Sequence, residues 1–246
     1  MKSTELIIEG RNAIIEAFRA GKTIDRLYIL DGATGGPVST MLREAKKQGT
    51  IVTFTSKSRL DEMSWTGAHQ GAIACAAAYE YSSVESMLEA AAAKNEDPFL
   101  IVLDGIEDPH NLGAIIRTAN LFGAHGVIIP KRRACALTAT VVKASAGAIN
   151  YTPVAKVTNL SSAIEDLKKK GMWFVCADMS GDPVFSLDLK GPIGLVIGNE
   201  GSGVSRLVKE HCDLIGSIPM KGDIDSLNAS VAAGVMAFEI ARQRMI

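Results

Sequence analysis

"FLIVLD", Phe99 to Asp104, and the stretch that follows it, "GIEDPHNLGAIIRTANLFG", Gly105 to Gly123, decide the fold. A continuous apolar run of this length describes a strand buried on both faces, as inside a parallel sheet. The polar turn after it ends in Asp108, suited to cap a helix, and Pro109, suited to the first helical position. On that helix Leu112, Ile115, Ile116 and Ala119 make one apolar stripe, and Arg117 points nearly opposite. Asn111 falls in the first turn, facing whatever lies over the strand ends. Gly113 stands one turn before Arg117, and Ala114 and Leu121 flank it. A guanidinium on such a face is expected to be covered by a group that accepts its hydrogen bonds, a carboxylate or a phosphate. A plain surface arginine on a half-buried helix is the alternative.

The same alternation continues outward. Strands are expected at "GVIIP", "TPVAKV", "MWFVCAD", "GLVIG" and "IGSIP", with helices between them, which implies an α/β domain on a parallel sheet. Upstream, helices "GRNAIIEAFRAG", "PVSTMLREAKKQG" and "SRLDEM" alternate with strands "DRLYIL", "TIVTFT" and "AIACAAA", a smaller α/β unit. Residues 81–97, "YSSVESMLEAAAAKNED", read as a linking helix and turn. The expected domains are therefore 1–80, that linker, and 98–246.

The 246 residues, 47% apolar and 5% aromatic, describe an ordinary α/β protein with a sizeable core. No apolar run is long enough to span a membrane, and "MKSTELIIEG" lacks the layout of a signal peptide, so a cytoplasmic location is expected. Cys75, Cys135, Cys176 and Cys212 have no CxxC spacing; they read as reduced thiols, and no metal site is expected. Net charge is −1. Up to Asp97 there are 11 basic and 13 acidic residues, and beyond it 15 and 14, so neither half is basic overall. A nucleic-acid face must be a local patch, and "PKRRAC", with Lys131, Arg132 and Arg133, is the densest candidate.

Two further loops carry chemistry. In "GLVIGNEGSGVSRLVKE" the glycines Gly198, Gly201 and Gly203 follow a strand, but they do not make GxGxxG and no Walker lysine follows. Glu200 would repel a pyrophosphate and instead suits a cationic or hydroxyl-rich partner, or an arginine. A glycine-rich turn with Ser205 capping the next helix is the structural alternative. In "IPMKGDIDSLNASVAAGVMAFEIARQR" a helix is expected from about Ser226, with Asp225 as its cap. Ser226, Ser230 and Gly234 share one face, and Ala229, Ala233 and Ala237 the next, a pattern that admits another backbone closely. Ser226 and Asn228 stand where free N–H groups and side chains can hold a ligand. No histidine lies beside them in sequence, which argues against a hydrolase serine.

Together and in this order, "NLGAIIRTA", "GLVIGNEGSG" and "IPMKGDIDSLNASVAAG" resemble the three motifs of the SpoU/TrmH family of RNA ribose 2′-O-methyltransferases, over roughly Phe99 to Arg244. "IIEGRNAIIEAF" and "GAHQGAIAC" resemble the small RNA-binding module of the group within it that methylates guanosine in bacterial large-subunit rRNA. The resemblance implies a deep trefoil knot in the sheet, S-adenosylmethionine held by the knotted loops, and a homodimer that uses both subunits to place RNA. It implies backbone contacts to the cofactor from Gly198, Ile218 and Leu227, with Ala177, Asn199 and Met220 lining its pocket. Asn111, Arg117, Glu200, Ser226 and Asn228 would form the catalytic neighbourhood, Glu200 pairing with Arg117 or holding a substrate hydroxyl. RNA contacts are implied at Arg11, His69 and Gln70, to be joined by Lys131, Arg132 and Arg133. The same reaction on tRNA, and a non-catalytic RNA-binding assembly factor on the same scaffold, are the competing readings.

Overall fold

Residues 6–223 and 226–245 are described in the computed structural model. They fall into two units, one built on the chain up to Glu80 with Ala136–Ala139, the other on Tyr81–Cys135 and the chain from Thr140 onward.

The first unit contains β1 (Leu6–Glu9), α1 (Arg11–Arg19), β2 (Ile24–Leu30), α2 (Gly36–Gln48), β3 (Ile51–Thr55), α3 (Lys57–Met63) and β4 (Ala72–Ala76). Its sheet has the order β1-β4-β2-β3; β2 and β3 are parallel, and β4 runs against both its neighbours. Ile14 and Phe18, one helical turn apart on α1, meet Met41 and Ala45 of α2 and the inward face of β2, Leu27 and Ile29. Gly49 ends α2 at φ 68, a left-handed conformation that glycine adopts without strain. Ser56 caps α3 by accepting from the Arg59 amide. The one strand that pattern reading missed is β1, a short and half-exposed edge.

The second unit runs α4 (Val84–Ala93), β5 (Phe99–Asp104), α5 (Pro109–Leu121), β6 (Gly126–Pro130), α6 (Ala139–Ala144), β7 (Val154–Val157), α7 (Leu160–Lys169), β8 (Trp173–Pro183), β9 (Ile193–Gly198), α8 (Arg206–Glu210), β10 (Leu214–Ser217) and α9 (Ala229–Arg244). All five strand pairings in the order β10-β8-β9-β5-β6-β7 are parallel. The two central strands are in step from Phe99↔Ile193 to Asp104↔Gly198, so the loops after them open side by side. The segment read as a linker is part of this unit: Ser83 caps α4, and Met87 is fully buried in the core. It fills the space that a Cβ on Gly126 would occupy, 2.3 Å from the Met87 sulfur.

Two expectations about helices need correction. The room beside Gly113 is not kept for a partner of Arg117; α6 fills it, and a Cβ there would lie 2.4 Å from that of Ala144 and 2.9 Å from the Val141 carbonyl oxygen. The last helix begins at Ala229, not near Ser226, because the Asn228 side chain caps it, accepting from the Ser230 and Val231 amides. Asp225 lies outside the described residues. Ala229, Ala233 and Ala237 face inward, and α9 packs along α5 and against β9.

Candidate active site

The middle of β8 and the loops after β9 and β10 line a cavity of about 330 Å³ in the second unit. All six residues expected to hold a cofactor, Ala177, Gly198, Asn199, Ile218, Met220 and Leu227, line it, and so do Glu200 and Ser226. The β9 loop is held from within. Asn199 exchanges backbone hydrogen bonds with Gly203, its side-chain amide donates to the Gly105 carbonyl at 3.0 Å, and its side-chain oxygen accepts from the Gly201 amide at 2.9 Å. A Cβ on Gly198 would fall 2.1 Å from the Gly203–Val204 backbone, so only glycine allows this fold-back. Ser205 stands at the N-cap of α8 but does not cap it with its side chain; its amide donates to Asp104 at 2.8 Å. Asp178, a lining residue that the motifs did not single out, pairs with Lys209 at 2.9 Å. Burial would raise its pKa, but hydrogen bonds from Ser180 and Lys209 outweigh that and bring it to about 2.

Glu200 joins the three motifs. One of its oxygens, Oε1, accepts from Asn111 Nδ2 at 3.0 Å, from the Ala229 amide at 3.2 Å, and from Asn228 Nδ2. Asn228 Nδ2 also donates to Asn111 Oδ1 at 3.0 Å, closing a triangle of side chains from three separate loops. The same Asn228 caps α9 through its oxygen, so a helix terminus sets its orientation. All the donors to Glu200 among the described residues are neutral amides. Its negative charge therefore stays available at the edge of the cavity, the electrostatics that suit a cationic ligand.

Arg117 takes no part in this cluster; of the two roles expected for Glu200, the pairing with Arg117 is not made in this structure. Its side chain is exposed and makes no hydrogen bond or ion pair among the described residues, so within the chain its face is not covered either. Leu121, one turn on, is 68% exposed. Lys131, Arg132 and Arg133 follow β6 at the same end of the sheet; Arg132 and Arg133 are exposed, and the loop is tied to the one after β5 by the Cys135 amide donating to the Ile106 carbonyl.

In the first unit Arg11 Nε donates to the Gln70 carbonyl at 2.9 Å, and the Gln70 side chain is exposed. His69 departs from expectation. It is 5% exposed, with Nε2 on Asp61 and Nδ1 accepting from the Gly71 amide, so it shapes the turn and is not free to touch RNA.

Comparison with known proteins agrees with this architecture. Residues 98–238 match the model of the SpoU rRNA Methylase family, and residues 7–82 match that of the RNA 2′-O ribose methyltransferase substrate binding domain. A Bacillus subtilis protein named for the TrmH family of tRNA/rRNA methyltransferases, YacO, is 48% identical over 96% of this chain and 94% of its own. A Staphylococcus saprophyticus protein named for the same family is 46% identical over 98% of this chain and 96% of its own. Among solved structures, the SpoU methyltransferase AviRb from Streptomyces viridochromogenes in complex with the cofactor AdoMet superposes with a TM-score of 0.62 at 25% identity, covering 98% of this chain and 91% of that one. With more than half the chain matched by one family model and nearly all of it by relatives of this identity, the protein belongs to the SpoU rRNA methylase family.

Proposed function

We propose that this enzyme transfers a methyl group from S-adenosylmethionine to the 2′-hydroxyl of a guanosine ribose in large-subunit rRNA, in the cytoplasm and as a homodimer with a knotted methylase domain. The observation that carries the reading is the cavity lined by β8 and the loops after β9 and β10, edged by a Glu200 carboxylate that no cation among the described residues neutralises. Such a site fits a ligand that combines a nucleoside with a sulfonium. Bound there, S-adenosylmethionine supplies an electrophilic methyl carbon. Gly198, Ile218 and Leu227 hold it through the backbone, and Ala177, Asn199 and Met220 through the cavity wall.

A ribose hydroxyl is weakly acidic, so the chain must hold it in line and stabilise the charge that develops as its proton leaves. With a methyl carbon supplied by the bound cofactor, the 2′-oxygen would accept it as the cofactor's sulfur leaves, and the hydroxyl proton would pass to a phosphate or to water. Arg117 stabilises the developing alkoxide and an adjacent phosphate; it does not act as a base, because a guanidinium keeps its proton in proteins. Asn111 and Asn228, fixed by Glu200, orient the reacting groups, with Ser226 beside them.

The dimer reading is supported by an apolar surface near Arg117. Leu121, Val231, Val235 and Phe238 are exposed on α5 and α9, and Phe122 meets Phe238 edge-on at 5.8 Å. A second copy there would cover Arg117. Substrate choice is tested by incubating the protein with labelled S-adenosylmethionine and either unmodified large-subunit rRNA or bulk tRNA, then identifying the methylated nucleoside. Label in 2′-O-methylguanosine from rRNA alone is expected; label in tRNA overturns the substrate and keeps the chemistry.

A further inference from the structure

The first unit carries a feature that the methylation site does not use. Loop Ser64–Ala68 projects a tryptophan, Trp65, that is 57% exposed, between Thr66, Gly67 and Ala68, which are also exposed. An isolated exposed aromatic on a loop tip is ordinarily mobile. Here the loop is fastened to the sheet by one carboxylate. Glu9, at the end of β1, accepts from the Trp65 amide at 2.6 Å, the Thr66 amide at 3.3 Å, the Thr66 hydroxyl at 2.7 Å and the Ser64 hydroxyl. Ser64 and Thr66 in turn accept from the Gly67 and Ala68 amides. With both oxygens engaged, Glu9 is fully occupied in holding the loop.

The charges nearby follow the same division. Asp61 is engaged by His69 and Glu62 by Arg59. Arg11 has only a backbone carbonyl as partner, and Lys57, at the start of α3, has none among the described residues. Gln70 holds φ 51, a left-handed conformation uncommon for a side chain with a Cβ; the Arg11 bond to its carbonyl secures it. The carboxylates are each engaged within the unit, Arg11 and Lys57 keep donors free for a ligand among the described residues, and one flat aromatic stands exposed on the loop. A protein partner would call for a contiguous apolar patch. An unpaired base beside its phosphates calls for what is present: an aromatic face and unpaired cations.

We propose that Trp65 is a stacking platform for an unpaired base of the RNA substrate, held in place by Glu9, with Arg11 and Lys57 taking the neighbouring phosphates. The proposal rests on the reading of the protein as an RNA methyltransferase, and two readouts keep their failures apart. In a Trp173→Phe background Trp65 is the only tryptophan. Titration with a short single-stranded RNA is expected to quench its fluorescence, and the same sequence as a duplex to do so far less. This readout needs no methylation. In steady-state assays on rRNA, Trp65→Ala is expected to raise KM for RNA about 10- to 100-fold with kcat near normal, while Trp65→Phe keeps most of the affinity. Glu9→Gln, which retains the tryptophan but loosens the loop, is expected to raise KM in the same direction. Unchanged KM in Trp65→Ala together with absent quenching overturns the platform. A KM effect seen only with ribosomal particles, and not with protein-free RNA, overturns it in favour of a protein contact. Quenching by single strands without methylation of any RNA would uphold the platform and sink the proposed reaction.

Discussion

Two arginines of the methylase unit make opposite use of the same side chain. Arg244, in the last turn of α9, is withdrawn from solvent: its guanidinium donates to the carbonyls of Asp97, Pro98 and Gly191 and lies 5.4 Å from the Phe99 ring centroid. Burial lowers its pKa, with the nearby Asp97 and Glu96 opposing. Arg117, on α5, keeps all its donors free and stands beside exposed apolar residues. The structural guanidinium turns its two terminal nitrogens to carbonyls of its own chain, while its buried Nε has no partner among the described residues. One left bare on the surface keeps its donors for a ligand or a partner.

Removing each arginine in turn separates the two roles. Arg117→Ala is expected to lower kcat about 100- to 1,000-fold, the scale of losing one transition-state donor, with cofactor binding and melting temperature unchanged. Near-normal turnover in Arg117→Lys would sink the bidentate role while leaving the charge. If Arg117 serves the site of the second copy, an equal mixture of Arg117→Ala with an Asn228→Ala variant, refolded together, should recover about a quarter of wild-type activity from two inactive parents. No recovery would return Arg117 to its own subunit. Arg244→Ala is expected instead to cost about 2–3 kcal/mol of stability in urea titration, by orphaning carbonyls and stripping a covered side chain from Phe99, with activity per folded molecule retained.

Gly113→Ala tests the neighbouring site on α5. Overpacking against α6 should cost about 1–3 kcal/mol, and activity should fall only as far as the shift of α5 displaces Asn111. The smallest effect belongs to a third guanidinium. Arg242 makes a two-pronged pair with Glu239, at 2.8 and 2.7 Å. That hydrogen bond, chiefly, lowers the Glu239 pKa from 4.5 to about 2. A depressed carboxylate contributes stability above its unfolded pKa and loses it as pH falls through the folded one. Stability should therefore decline between pH 4.5 and about 2, and Arg242→Met should flatten that slope slightly, since the Arg242 side of the pair is open to solvent and screened.

What was legible in the sequence follows from locality. The buried strand 99–104, the Asp108–Pro109 start of α5 and the Gly49 stop of α2 are decided within a few residues, and each was readable. The cofactor loops were readable as motifs because the residues lining the cavity lie in three short runs. Pairings across the chain were not. Glu200 and Arg117 were natural partners by charge, yet the amides of Asn111 and Asn228 reach that carboxylate first, and only the alignment of β5 with β9 decides this. His69 gave no sign that both its ring nitrogens would be engaged within its own turn, nor Trp65 that a residue fifty-six positions earlier would fasten it.

The strand order also bears on how the chain is made. β5 is complete once Asp104 has emerged, but β9, one of its two neighbours, ends at Gly198. At ribosomal speeds of about 5–20 residues per second, that leaves one side of β5 unpaired for roughly 5–20 s. A nascent chain stalled in that interval would offer an apolar strand edge to any other strand, so chaperone dependence and aggregation during expression should peak for chains truncated between β5 and β9.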